Sequence, residues 1–352
     1  MNPMFHPLEV AQVRRETDDA VSVAFAVPAE LRDTFAYQPG QYLTLRAEID
    51  GEDVRRTYSI CSRPGERLRV AIKQVPGGRF STFANQRLEP GTVLQVMPPM
   101  GRFTVAADPN AARHHVAFAA GSGITPVLCH LAALLHAEPR SHVTLFYGSR
   151  SVPSILFRDE LCNLKDRYLD RFTVHHFLSR QPHEVPLFGG RLDEARIERI
   201  VDSLVTPDRI DMVLICGPGD MIDCTVAVLR ARGVASEAIH FERFGAPAPP
   251  PPAVSVPRAA DVVADITLDG VSTSVEVGPG ETVLDAAVRA GLELPYACRG
   301  GVCATCRAKV TQGEVEMAVN YSLAPWEVDA GFTLTCQARP NTRRLAIDFD
   351  QT

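Results

Sequence analysis

One segment of this 352-residue chain reads Cys298-Arg-Gly-Gly-Val-Cys303-Ala-Thr-Cys306, and a fourth cysteine, Cys336, follows after 29 further residues. This spacing is typical of a plant-type [2Fe-2S] site, in which two tetrahedral irons share four protein thiolates. Gly300 and Gly301 allow the loop to turn tightly and bring backbone N–H groups close to the sulfurs. The sequence therefore predicts four cluster ligands: Cys298, Cys303, Cys306 and Cys336.

Two other thiol chemistries remain open for this loop. Cys303-x-x-Cys306 alone is half of a zinc site, or a thioredoxin-like dithiol, although neither explains the x4 spacing before it. Four further cysteines are isolated in the sequence, and we expect them to be buried as small apolar residues. These four are Cys61, Cys129, Cys162 and Cys224.

The excess of negative charge lies at the C-terminal end of the chain. The sequence has 36 basic and 42 acidic residues, and positions 261–352 contain 7 basic against 13 acidic, which accounts for the whole excess of 6. A nucleic-acid binder needs a positive face, so this class is not expected. An acidic module suits docking on a basic partner surface, although a merely solvated acidic face fits the charge as well.

Composition divides the chain. Between Gly245 and Pro257 six prolines occur within eleven positions, which predicts a linker at 246–260 in extended polyproline form, at ~3.1 Å per residue. A ligand for an SH3-like domain is the alternative interpretation of this run. We expect four parts: a domain at 1–106, a domain at 107–245, the linker, and a domain at 261–352.

The three predicted domains differ in their patterns of apolar, polar and turn residues. Positions 8–105 alternate in short strands punctuated by glycine turns, which predicts an antiparallel β-barrel. From His114 apolar strands alternate with helical stretches such as 155–168 and 221–232, which predicts a doubly wound parallel α/β domain. The last part begins with a hairpin around Asp269-Gly270 and a helix-starting box at Thr282, which predicts a small α+β domain.

Three segments of the barrel share polar and aromatic residues at strand ends, and they occur in this order: Arg56-Thr-Tyr58-Ser59, Val70-Ala-Ile72-Lys73 and Gly78-Arg-Phe80-Ser81. Together with the α/β pattern they resemble the ferredoxin-NADP reductase family, and the last 90 residues resemble plant-type ferredoxins of the β-grasp fold. The resemblance implies an FAD site. It places Arg56 and Ser81 on the pyrophosphate, Tyr58 against the flavin ring and Ser59 near its N5, with further contacts from Ile72, Lys73, Gly78 and Phe80.

A second set of residues lies at the ends of the α/β strands. Ala120-Gly121-Ser-Gly123-Ile-Thr125-Pro126 joins a strand to a helix, where backbone amides accept a dinucleotide pyrophosphate. Pro126 replaces the third glycine of the usual fingerprint, as in this reductase family. Ser149-Arg150 and Ser179-Arg180 end the next two strands, where the family contacts the adenosine ribose. Two arginines suit a 2′-phosphate, which favours NADPH over NADH, although ordinary solvated arginines are the alternative.

The resemblance also assigns the hydride-transfer end. Cys216-Gly217-Pro218 resembles the family motif beside the nicotinamide, and Glu242-Arg-Phe244 resembles the closing segment whose aromatic ring shields the flavin. We therefore expect Ser59, Cys216 and Glu242 to be catalytic. In plant reductases the closing aromatic is a terminal tyrosine, so Phe244, which leads into a linker, departs from the pattern.

NADPH, FAD and a [2Fe-2S] cluster together imply an order of transfer. A hydride carries two electrons and a [2Fe-2S] cluster accepts one, so the flavin must lie between them. The sequence has no Rieske or di-iron motif of its own, so the acceptor is expected to be another protein. Module order and the segments 296–306 and 320–323 resemble the reductase components of phenylacetyl-CoA epoxidases, which implies a di-iron epoxidase complex in aerobic phenylacetate degradation as partner.

Other functions stay open. The acceptor is alternatively a steroid, alkane or aromatic hydroxylase, and in another class the protein is a flavin reductase with a zinc-stabilised binding domain, or a redox sensor with exposed thiols. No stretch reaches the ~18 apolar residues of a membrane helix, and the first residues lack the features of a secretory signal. We therefore expect a cytoplasmic oxidoreductase that binds neither membrane nor nucleic acid.

Overall fold

The structure, a computed structural model, describes residues 4–245 and 262–351. The chain divides into two units, of which one comprises Phe5–Phe244 and the other contains Gly245–Thr352. The predicted proline-rich linker at 246–260 lies outside the described residues. Each unit is therefore described by itself.

The first part of Phe5–Phe244 is an antiparallel sheet that closes on itself. Its six strands have the order β4-β3-β6-β1-β2-β5, and a bridge between Ile60 and Val70 joins the two outer strands. The predicted barrel is thus confirmed. Its elements are β1 (His6–Thr17), β2 (Ala20–Ala26), β3 (Tyr42–Ile49), β4 (Glu52–Ser59), β5 (Arg69–Lys73), α1 (Arg79–Gln86) and β6 (Val93–Val96).

Alternation along the strands explains the barrel. Leu8, Val10, Leu43 and Leu45 lie two apart on their strands, and all four are fully buried in the barrel core. The turn between β3 and β4 has Asp50 at φ 54° and Gly51 at φ 78°, the left-handed pair that a tight two-residue hairpin requires. Pattern and turn together fix which face of each strand is buried.

The second part of this unit is a parallel sheet covered by helices. The strand order is β11-β10-β7-β8-β9, and all five strands are parallel. After β7 the chain adds β8 and β9 on one side of it and then β10 and β11 on the other side, so the strand order reverses at β7. Such a switch point forms a crevice at the carboxyl ends of β7 and β10. The elements are β7 (His114–Ala120), α2 (Ile124–Ala137), β8 (His142–Ser149), α3 (Arg158–Arg167), β9 (Phe172–Leu178), α4 (Glu194–Ser203), β10 (Met212–Cys216), α5 (Gly219–Ala231) and β11 (Ile239–Glu242).

Two details of this part differ from the sequence prediction. The helix expected from residue 155 begins only at Arg158, because Phe157 adopts a left-handed φ of 57° that a helix cannot include. Cys162 was expected to be buried but is exposed on α3, whose only buried residue is Leu161. Cys61 and Cys129 are buried as expected, and Cys224 is half-buried.

A buried histidine joins the barrel to α2. His130 donates from Nε2 to the carbonyl oxygen of Phe103 at 2.7 Å, and its ring meets the Phe103 ring edge-on. Burial lowers the pKa of His130 to about 4, so the ring is neutral near pH 7. Position 40, where φ is 88°, requires glycine for this contact, because a Cβ there would lie 1.9 Å from the Phe103 oxygen. The contact sets the position of the barrel against the parallel sheet.

The second unit is a small mixed sheet of order β13-β12-β18-β14-β16, with a separate pair β15-β17. β12 pairs with β18 in parallel and with β13 across the Asp269-Gly270 turn, and Thr282 caps α6 by accepting from Asp285 N. The hairpin and the cap are confirmed. The elements are β12 (Val262–Leu268), β13 (Val271–Val277), α6 (Val283–Arg289), β14 (Arg307–Gln312), β15 (Val315–Met317), α7 (Pro325–Asp329), β16 (Phe332–Leu334), β17 (Ala338–Pro340) and β18 (Arg344–Asp348).

Short 3-10 turns connect several elements; they are Ala29–Leu31, Gly121–Gly123, Val152–Ser154, Pro186–Phe188, Pro207–Arg209 and Ser236–Ala238. Across the described residues, none of the helices has the length and apolar character needed to cross a membrane.

Candidate functional site

The cysteine loop between α6 and β14 is a tight backbone cradle. Arg299 and Ala304 adopt left-handed φ values of 52° and 54°, which cost energy for residues with a side chain. Gly301, at φ 73°, passes so close to a neighbouring loop that a Cβ would lie 3.0 Å from the carbonyl oxygen of Val319. The strained turns direct the loop around its own sulfurs.

The four thiols form two contacting pairs. Cys303 donates to Cys298, which lowers the pKa of the Cys298 thiol, and amide N–H groups of Gly300 and Val302 lower it further. Cys306 and Cys336 form the second pair, and the Gln337 amide also donates to Cys336 Sγ, at 3.6 Å. Hydrogen bonds to sulfur favour the thiolates that iron requires.

This arrangement bears on the zinc alternative. The two pairs of sulfurs fit a centre with two metals, each of which takes two thiolates. The donor set therefore fits a [2Fe-2S] cluster, and the residues that would hold it are Cys298, Cys303, Cys306 and Cys336.

The flavin-side residues gather where β4, β5 and α1 meet. The Tyr58 and Phe80 rings lie 5.6 Å apart, and Ser81 Oγ donates to the Gly78 carbonyl oxygen and accepts from Val75 N at the start of α1. Ile72 and Phe80 face the barrel core, so they support the site from behind. Arg56 is exposed on β4, and Lys73 is half-buried at the end of β5.

At the coenzyme edge the backbone of two loops is in direct contact. A Cβ on Gly123 would lie 2.1 Å from the Cys216 carbonyl oxygen, and one on Gly217 would lie 3.2 Å from the Ala120 backbone nitrogen. Thr125 Oγ1 donates to the Ser122 carbonyl oxygen at 3.0 Å within the turn that starts α2, and Pro126 occupies its first turn. Pro218 caps α5 on the other side of the crevice.

Ser149, Arg150, Ser179 and Arg180 lie side by side at the ends of β8 and β9. The strand pairing continues through them, since Ser179 N donates to Ser149 O and Arg180 N donates to Arg150 O. Ser149 Oγ is buried without a hydrogen-bond partner among the described residues. Arg150 forms an ion pair with Asp19 at the tip of the β1–β2 hairpin. Asp19 Oδ1 also lies 3.6 Å from Lys73 Nζ.

The barrel and the parallel sheet meet at a half-buried carboxyl group, that of Glu242. Ser59 Oγ donates to Glu242 Oε2 at 3.2 Å, and Cys216 is the neighbour of Glu242 across β10 and β11. Burial raises the pKa of Glu242 to about 8 and that of Cys216 well above its ordinary value. Both groups are therefore uncharged near neutral pH. Phe244, two residues beyond Glu242, is 44% exposed.

Two residues of this edge were not predicted. Tyr147 is fully buried, and its hydroxyl donates to the Gly121 carbonyl oxygen at 3.1 Å and accepts from Leu156 N at 3.3 Å, so it holds the glycine turn. Its place directly before Gly148-Ser149-Arg150 was a usable signal. Asp19 had none, because its partner Arg150 is 131 residues away.

Family models match all three parts of the chain. Residues 7–105 match an oxidoreductase FAD-binding domain, residues 118–227 an oxidoreductase NAD-binding domain, and residues 266–341 a 2Fe-2S iron-sulfur cluster binding domain. A curated relative, a component protein of 1,2-phenylacetyl-CoA epoxidase from Escherichia coli (strain K12), is 42% identical over 98% of this chain and 98% of its own. The chain belongs to the ferredoxin-reductase-type reductases.

Other relatives in this family are reductase components of oxygenases. The ferredoxin reductase component of 3-ketosteroid-9-alpha-monooxygenase from Rhodococcus rhodochrous is 34% identical over 97% of this chain and 96% of its own. Phthalate dioxygenase reductase has the same fold, with a TM-score of 0.60, 23% identity and 98% of each chain covered. This ferredoxin-reductase-type protein is thus an oxidoreductase that carries electrons from pyridine nucleotide through FAD to a [2Fe-2S] cluster.

The Gly123→Ala variant tests the close approach at the coenzyme edge. Because the added Cβ meets backbone rather than a flexible side chain, we expect the turn to shift and the KM for the nicotinamide coenzyme to rise about tenfold or more, since small misplacements of this kind cost large factors. The matched control is Gly189→Ala, where a Cβ has its nearest neighbour at 3.7 Å. Equal KM values for both variants would contradict this explanation.

The Glu242→Gln variant tests the half-buried carboxyl group. A folded-state pKa of about 8, above the ordinary 4.5, means that the folded protein binds this proton more tightly than the unfolded chain does. Stability from Glu242 is therefore present below pH 4.5 and is lost as pH rises to about 8. We expect the free energy of unfolding of the variant, relative to wild type, to rise across this window. Urea denaturation at several pH values measures it, with exposed Glu237→Gln as control.

Proposed function

We propose that this reductase delivers its electrons to the di-iron oxygenase of a phenylacetyl-CoA epoxidase complex. The single observation that carries the proposal is the 42% identity to a curated epoxidase component, which spans 98% of both chains. The 3-ketosteroid and glycine betaine monooxygenase reductases are matched over similar lengths at 34% and 31% identity. A steroid or other hydroxylase as acceptor is the second candidate.

The proposed catalytic residues act by position and by charge. A bound FAD supplies the link between a two-electron hydride donor and a one-electron acceptor. Ser59, held by Glu242 at 3.2 Å, brings a hydroxyl from the barrel to the crevice of the parallel sheet. Because Cys216 and Glu242 are both protonated near neutral pH, they present an uncharged surface to the nicotinamide and keep ionic groups and their water out of the site.

The elements that carry the residues support the proposed binding roles. Gly78 and Ser81 start α1, and Gly121, Gly123, Thr125 and Pro126 start α2, so both sets place helix N-terminal amides where a pyrophosphate binds. Arg56, Tyr58, Ile72, Lys73, Phe80 and Phe244 are assigned to FAD. Ser149, Arg150, Ser179, Arg180, Gly217 and Pro218 are assigned to the nicotinamide coenzyme.

We assign NADPH as the preferred coenzyme. Two arginines and two hydroxyls at the ends of β8 and β9 offer charge-assisted hydrogen bonds to a 2′-phosphate. The pairing of Arg150 with Asp19 and the half-exposed state of its side chain mean that a phosphate must compete with a carboxylate for this guanidinium. Preference for NADPH then depends on the phosphate being the stronger partner.

Domain bounds and location are part of the same proposal. We retain 1–106 for the FAD-binding domain, 107–245 for the NAD(P)-binding domain, 246–260 for the linker and 261–352 for the ferredoxin domain. A cytoplasmic location is supported by the cysteine pattern, since four of the nine cysteines have the spacing of cluster ligands, whereas oxidising compartments favour disulfides.

The acceptor is tested by mixing the reductase, NADPH, phenylacetyl-CoA and purified epoxidase components and measuring epoxide formation. The Cys303→Ser variant should abolish product while leaving NADPH-driven bleaching of the flavin nearly unchanged, because only the cluster loses a ligand. Steroid monooxygenase components serve as the comparison acceptor. Faster turnover with the steroid system, or equal loss of both activities in the variant, would contradict the proposal.

The Arg150→Ala variant tests the coenzyme preference. Loss of a charge-assisted contact to the 2′-phosphate should raise the KM for NADPH about tenfold and leave the KM for NADH within about twofold. Steady-state reduction of ferricyanide measures both constants. The control is Arg167→Ala, an exposed arginine at the far end of α3. Equal rises for the two coenzymes would show that Arg150 does not read the phosphate.

A further inference from the structure

Trp326, the one tryptophan of the sequence, is held out in solvent on α7. Its side chain is 64% exposed, and Val328 on the same short helix is 40% exposed. An indole gains more than most side chains from burial, and tryptophan is enriched among the residues that dominate binding at protein interfaces. An exposed tryptophan at this position therefore indicates a contact surface.

The helix that carries Trp326 is tied to the cluster loop. Arg307, the residue after the ligand Cys306, donates from Nε to Glu327 Oε1 at 3.0 Å, and Glu327 Oε2 accepts from Ala324 N at 2.9 Å. Glu327 is fully buried, and the Arg307 guanidinium lies 3.5 Å from the centre of the Phe332 ring. A buried, satisfied ion pair of this kind holds α7 in one position.

A second connection runs from the cluster loop to the segment before α7. Tyr321 N donates to the Gly301 carbonyl oxygen at 3.0 Å, and Ser322 Oγ donates to the same oxygen at 3.4 Å. Hydrogen bonds therefore attach both α7 and the segment before it to the cluster loop. A protein that grips Trp326 is held at a defined place relative to Cys303 and Cys306.

The charge of the domain indicates what kind of surface fits. Asp329 is exposed on α7, the stretch 324–330 has no basic residue, and positions 261–352 carry 7 basic against 13 acidic residues. An anionic bilayer would be repelled by such a domain, whereas a protein with basic residues around an apolar pocket would be attracted.

We infer that Trp326 anchors the electron-accepting oxygenase component, which receives it in a pocket that is apolar at its centre and basic at its rim. This rests on the proposed function, because it assumes that the acceptor is a separate protein. Trp326 is here a docking residue, and the rates of hydride transfer and of cluster reduction do not depend on it.

The experiment compares Trp326→Ala with Val271→Ala. Val271 is 63% exposed at the hairpin turn of the same domain, so it matches the exposure of Trp326 without the attachment to the cluster loop. For Trp326→Ala we expect the KM for the purified epoxidase oxygenase component to rise about tenfold or more. Ferricyanide reduction should stay unchanged. The control should match wild type, and Trp326→Phe should recover part of the affinity.

Each outcome has a distinct meaning. An unchanged KM for Trp326→Ala, with wild type active toward the epoxidase, overturns the docking inference and leaves the proposed function intact. A parallel loss of ferricyanide reduction overturns it as well, because the residue would then act on the cluster. Wild type that reduces ferricyanide but no oxygenase component overturns the proposed function and the docking with it. Retention of the protein on anionic phosphatidylserine vesicles, lost in the variant, would replace the protein partner by a membrane.

Discussion

The carboxyl ends of β7 and β10 approach each other so closely that no side chain fits between them. A Cβ on Gly123 would lie 2.1 Å from the Cys216 carbonyl oxygen, and one on Gly217 would lie 3.2 Å from the Ala120 backbone nitrogen. The approach at Gly123 is therefore between backbone atoms, at the switch point where α/β sheets bind ligands. Tyr147 holds the turn from below. The absence of a side chain on Gly123 thus allows the two strand ends to approach this closely.

The barrel and the parallel sheet share a buried apolar cluster, which includes Ala20, Cys61 and Phe103 from the first part, and polar contacts join the two parts as well. Ser59 reaches Glu242 across 183 residues of sequence, and Glu160 on α3 receives Arg69 at 2.5 and 2.7 Å and Arg14 at 2.8 Å. Paired and hydrogen-bonded charges tolerate partial burial only in a defined geometry, so they fix orientation more than they add stability. The proposed hydride site is therefore an interface between the barrel and the parallel sheet, and its geometry depends on how these two parts pack.

Sequence reasoning succeeded where the cause is local. The Asp269-Gly270 turn, the Thr282 cap and the cysteine spacing each depend on a few neighbouring residues, and a period of two or of 3.6 distinguishes strand from helix. It failed where packing decides. The left-handed Phe157 that delays α3 has no sequence mark, and the exposure of Cys162 follows from that helix's rotation. Asp19 and Arg150 meet because a hairpin tip and a strand end converge, which no local pattern predicts.

The two redox sites make opposite demands on the protein, and this explains why they occupy separate modules. A dry, uncharged surface suits hydride transfer, and at the proposed hydride site Cys216 is fully buried beside a carboxyl group whose pKa burial raises to about 8. Single-electron transfer to another protein needs a centre near the surface, and Cys298 and Cys303 are both partly exposed. If one core held both sites, a fold that buried the proposed hydride site deeply would also bury the cluster. Separate cores let burial be chosen independently, while the strained backbone at Arg299 and Ala304 keeps the exposed ligands in place.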